Sequence, residues 1–102
     1  MKTLDFRLED GVLVRTDDNV VMKNTKDYYK LRFDLRTAGL KAAAVHFSSQ
    51  TMDEYVPLVQ NGSKLEAMFD EKFNICTSVD ISVIIKTGQS EYETNQVTIQ
   101  QS

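Results

Sequence analysis

Apolar and polar residues alternate along most of this chain. In Tyr29, Leu31, Phe33 and Leu35 the apolar side chains are spaced by Lys30, Arg32, Asp34 and Arg36, a period of two that sets one side of a strand in a core and the other in water. Thr37-Ala38-Gly39 then reads as a turn, after which Ala43, Val45 and Phe47 alternate with Ala44, His46 and Ser48. Alanine favours helix, but three in a row do not overcome the cost of nucleating one, so this run is expected to be a strand approached closely by its neighbours.

The run from Glu54 to Gln60, the pair Asn61-Gly62 and the run from Ser63 to Phe69 together predict a hairpin, because Asn-Gly supplies the positive φ that tight hairpin turns need. Pro57, the single proline, lacks an amide donor and places its strand at a sheet edge or a bulge. Asp70-Glu71-Lys72-Phe73 is read as one helical turn. Val79, Ile81, Val83 and Ile85 alternate with Asp80, Ser82 and Ile84, as in a central strand, and the outward Ile84 marks a candidate contact surface. Thr87-Gly88-Gln89-Ser90 turns the chain, and Val97 and Ile99 alternate with Thr98 and Gln100 in a last strand.

The N-terminal third repeats the pattern. Leu4, Phe6 and Leu8 alternate, Asp10-Gly11 turns, Leu13 sits in a short run, Asp17-Asp18-Asn19 turns again, and Val20-Val21-Met22 follows. About seven to nine short strands with regularly spaced turns predict an all-β, antiparallel β-sandwich, with residues 1–102 as one domain.

Composition narrows the function more than the fold. Twelve basic against fifteen acidic residues give a net charge of -3, with signs interspersed, so no basic stripe is available for nucleic acid. MKTLDFRLED carries acids where a secretory leader needs an apolar core, and no long uncharged apolar run follows, so neither a signal peptide nor membrane insertion is expected. The single cysteine, Cys76, has no internal disulfide partner and reads as a small buried hydrophobe.

Catalytic parts are scarce. Any Ser-His-Asp or Cys-His arrangement would need the one histidine, His46, which points outward from a strand with no nucleophile motif nearby. One His and one Cys do not make a transition-metal site, Asp17-Asp18-Asn19 lacks calcium-loop spacing and reads as a solvated turn, and the four glycines sit singly in turns, not in a phosphate loop. The expectation is a non-enzyme without metal or cofactor. Tyr28, Tyr29, Tyr55 and Tyr92 are available for a binding surface, Tyr28 and Tyr55 being the candidates for a glycan.

Four stretches carry a likeness: LVRTDDNVVMKNTKDYYKLRFDL, GLKAAAVHF, EYVPLVQNGSKL and ISVIIKTGQSEYETNQVTIQ. Together they resemble the small immunoglobulin-like β modules of tail, baseplate and fibre proteins in phages of Gram-positive hosts. The pair Thr94-Asn95, leading into Gln96 to Gln100, is similar to the end of such modules. The chain departs from their pattern in having no tryptophan between FDL and GLK, and Met68-Phe69 where a proline follows the hairpin.

The resemblance implies a virion structural or adaptor domain, made in the host cytoplasm, that contacts other virion proteins or copies of itself as a homo-oligomer. The candidate interface comprises Pro57, Ile84, Tyr92, Val97 and Ile99, with the strand around Pro57 and the terminal strand as edges able to pair with a neighbour. The alternative is a host-directed binding module that recognises a carbohydrate or inhibits a host protein through its acidic surface.

Overall fold

The computed structural model describes residues 2–22, 29–69, 71–74 and 77–101. Among them lie ten strands and a one-turn helix: β1 (Lys2–Glu9), β2 (Val12–Arg15), β3 (Tyr29–Asp34), β4 (Leu40–Ser48), β5 (Asp53–Pro57), β6 (Val59–Asn61), β7 (Lys64–Phe69), α1 (Glu71–Asn74), β8 (Ser78–Thr87), β9 (Glu91–Glu93) and β10 (Val97–Gln100). They form two sheets in the orders β2-β1-β3-β7-β6 and β10-β8-β4-β5, with β9 also pairing β8. The fold is a β-sandwich.

Its core follows from the alternation. Leu4 and Phe6 of β1, Leu31 and Phe33 of β3, Val45 and Phe47 of β4, and Val79, Ile81, Val83 and Ile85 of β8 are all buried between the sheets. Phe6 stacks on Phe33 with centroids 5.0 Å apart, and Phe47 stacks on Phe73 of α1 at 4.2 Å. The helical turn thus adds Phe73 to the core.

The connections depart from the sequence expectations in four places. The β1–β3 pair is parallel, Leu4 facing Leu31 and Phe6 facing Phe33, where an entirely antiparallel sandwich is expected. Parallel neighbours require a long return, which the connection from β2 to β3 supplies. The run Glu54 to Gln60 is two strands: β5 pairs β4 in one sheet and β6 pairs β7 in the other, the chain changing sheet at the half-buried Leu58. This division adds a strand to the expected number.

The hairpin that follows turns on Gly62-Ser63, one residue later than expected, with Asn61 facing Lys64. Only Gly62 takes a positive φ, of 64°, the placement a type II′ turn requires. Asp10 and Gly11, by contrast, are both positive at 50° and 81°, as in a type I′ turn joining β1 to β2. Finally, Asp17 is no solvated turn residue. Its carboxylate accepts from the Asp5 amide at 2.8 Å, the Asn19 amide at 2.9 Å and the Arg15 guanidinium at 2.9 Å. Burial works against its charge, but these donors outweigh it and hold the carboxyl below the usual range.

Both expected edges are edges, and each is blunted differently. On β5, Pro57 faces Ala44 and the Leu58 amide donates to Ala43 O at 2.9 Å. Antiparallel bonding alternates, so the proline nitrogen points away from β4 and removes a donor from the open side. On the other edge, Ile84 faces Glu93 while Ile81 faces Val97, so four steps on β9–β10 match three on β8. The extra residue makes a bulge, where the Thr94 hydroxyl accepts from the Val83 amide at 2.9 Å and Thr94 N donates to Val83 O at 2.9 Å. Asn95, next in line, closes the seam between the sheets: its Nδ2 donates to Leu13 O at 3.0 Å and its Oδ1 accepts from Leu13 N at 2.7 Å.

Candidate contact face

The outer surfaces of the two sheets differ in chemistry. On the β1–β3–β7 side, Asp5 pairs with Arg32 at 2.7 Å, Glu66 with Lys30 at 3.5 Å, Asp34 with Lys64 at 3.0 Å and Arg36 at 2.9 Å, and Arg7 with Glu9. These ion pairs range from partly buried to exposed, and a partner covering them would have to desolvate charge. The outer surface of the second sheet instead carries a neutral strip, in which register places Pro57, Ala44 and Ile84 side by side across β5, β4 and β8. Ile84 is half-buried and Pro57 exposed.

The next row holds Tyr55, His46 and Ser82. Tyr55, 56% exposed, lies flat on His46 with centroids 4.2 Å apart and planes 11° apart. Around the imidazole, Nε2 meets Asp53 Oδ1 and Nδ1 meets Glu93 Oε2 at 3.1 Å, while the Ser82 hydroxyl donates to the same Glu93 oxygen at 2.6 Å. One histidine on β4 therefore ties β5 to β9 across the sheet.

This cluster was not legible beforehand, because Asp53 and Glu93 stand 7 and 47 positions from His46. The available signal was the turn after Ser49, which sets Tyr55 opposite His46 once its register is known.

Burial disfavours the His46 cation, but hydrogen bonds to Asp53 and Glu93 outweigh that and raise its pKa above the ordinary 6.5. Glu93 is held below its usual range, by the Ser82 hydroxyl first and His46 second. Because the folded pKa of His46 is raised, its stabilisation is complete below 6.5 and fades as pH climbs through the folded value. Urea unfolding should accordingly show wild type ahead of His46→Gln by more at pH 6 than at pH 8. An equal gap at both would contradict this.

Neither a protein-family model nor a curated protein matches the sequence. Among solved structures, the chain is similar to the N-terminal domain of phage TP901-1 ORF48, with a TM-score of 0.54 and 8% identity, over 96% of each chain. The likeness is one of fold. It spans both sheets, so the face described above belongs to an architecture that this phage domain shares.

The structure brings three of the sequence-derived candidates, Pro57, Ile84 and Tyr55, onto one surface. The others lie elsewhere. Tyr92 faces Ile85, on the side of the sheet turned toward the core, and reaches solvent at 40% only because β9 is an edge; it shares no face with Ile84. Ile99 is fully buried and Val97 packs half-buried against the core, so their side chains hold the sandwich together and lie off the Ile84 face. The alternation of the last strand is as expected, with its apolar side turned to the core. Tyr28 and Cys76 lie outside the described residues. No helix among the described residues is long and apolar enough to cross a membrane.

Proposed function

We propose that this chain is a non-enzymatic structural or adaptor module of a phage virion, in the baseplate, tail or head fibre, that works through protein–protein contacts. The observation that carries the reading is the likeness in fold to a phage domain over 96% of both chains. The neutral strip of Pro57, Ala44 and Ile84, flanked by Tyr55, supports it as the surface that meets other virion proteins or another copy of the chain. A partner covering this strip would bury apolar area without first breaking the ion-pair lattice that covers the opposite sheet.

Ile84→Lys sets a charge at the β8 end of the strip, facing Glu93, while leaving the buried side of β8 untouched. It should weaken assembly by about tenfold or more, the equivalent of about 1.4 kcal/mol, with little change in unfolding midpoint. Light scattering across a concentration series, with the protein alone and with virion particles that lack it, reads the effect. Wild-type protein that neither self-associates nor joins the particles would overturn the proposal.

A further inference from the structure

The histidine in the candidate contact face stands between two carboxylates and under the ring of Tyr55. A neutral imidazole carries one N–H and one lone pair, so it can donate to only one carboxylate. His46 has a carboxylate oxygen against each ring nitrogen, Asp53 on one side and Glu93 on the other. Protonating Glu93 on that oxygen, so that it could donate, would weaken the bond it accepts there from the Ser82 hydroxyl. Two ionised carboxylates, each an acceptor only, are satisfied together by an imidazolium and not by a neutral ring.

We propose that His46 is a doubly protonated clamp between the two outer strands of the contact face, and that losing its proton frees Asp53 and loosens the Tyr55 end of β5. The charged and titratable groups facing the ring from each neighbouring strand support this direction. Asp53 and Tyr55 lie on β5 and Glu93 on β9. On β8, Asp80 is occupied by the Thr98 hydroxyl at 2.5 Å, while Lys86, which faces Glu91, stands two rows away beside Ala42. Among these groups the carboxylates adjoin the ring and the one cation stands two rows off.

When the ring is neutral, one carboxylate must go. Asp53 is 68% exposed and passes to water easily, whereas Glu93 is held by Ser82, so the remaining proton belongs on Nδ1, toward Glu93. Asp53 opens β5 together with Tyr55, whose ring lies on the imidazole, and Pro57, the outer member of the neutral strip. The face is therefore ordered at mildly acidic pH and looser at alkaline pH. That consequence for docking rests on the contact face proposed above, while the protonation state of His46 stands apart from it.

Imidazole nitrogen NMR of the whole protein, from pH 5 to 9, tests the clamp directly. Both nitrogens should be protonated at pH 6, the midpoint should lie above 6.5, and the neutral form should carry its proton on Nδ1. Amide exchange in β5, corrected for its intrinsic pH dependence, should speed up by about tenfold across the transition, as losing one charge-assisted hydrogen bond allows. Asp53→Asn, which keeps the size of the side chain, should move the midpoint down. A midpoint at or below 6.5, or β5 exchange that ignores the titration, would overturn the clamp. Light scattering of the same samples reports docking separately, so a clamp that titrates in a protein that never docks would remove only the proposed face.

Discussion

Phe47→Ala should cost about 3–5 kcal/mol, the range for removing a fully buried phenylalanine. Phe47 is 0% exposed, stacks on Phe73 of α1 at 4.2 Å and leans on Phe69 of β7 at 6.0 Å, so one side chain joins both sheets and the helical turn. Domains of this size are stable by about 5–15 kcal/mol, and a loss on this scale removes a large share of that margin. Phe47 also neighbours His46 on the same strand, so loosening the core should disturb the contact face on the other side of β4. Urea unfolding measures the first effect, and light scattering at a temperature where the variant is still folded measures the second. Phe47→Leu, which keeps most of the volume, should lose about 1–2 kcal/mol and leave assembly unchanged. A Phe47→Ala loss below about 1 kcal/mol would mean that the three-way packing contributes little.

Asn95→Ala should cost about 1–3 kcal/mol, although Asn95 lies outside the apolar core. Its amide completes both backbone groups of Leu13, at 2.7 and 3.0 Å, and alanine leaves that donor and acceptor partly buried without them. Denaturant midpoints and exchange of the Leu13 amide together read the effect. Fast exchange at Leu13 with slow exchange retained in β8 would locate the damage at the seam, and an unchanged midpoint would show that the seam is dispensable.

These two residues mark what can be read from order along the chain and what cannot. Phe47 lies in an alternating run, and such runs assign the core faces of β3, β4 and β8 correctly because the period of side-chain direction is local. Pro57 places its edge for an equally local reason, a missing donor. Asn95 stands out as half of a Thr-Asn pair before the last strand, yet its task depends on Leu13, which lies 82 positions away.

The parallel β1–β3 pairing, the change of sheet at Leu58 and the grouping around His46 are likewise decided by which strands become neighbours. Alternation says which side of Val97 and Ile99 is apolar. Strand order then decides that this side is covered by the core.

The closing seam also sets a sequence of events during synthesis. Until Asn95 has left the ribosome, the outward backbone groups of Leu13 have no amide to meet, and β8 has no β10 to cover its flank. Until β10 is in place the chain carries open strand edges, and completion of the sandwich waits on contacts of high sequence separation, which form slowly. Charged residues along β1 and β3, and the proline on β5, discourage nascent chains from pairing with one another in that interval. The proline that blunts the β5 edge of the finished sandwich thus also protects the chain before the sandwich is complete.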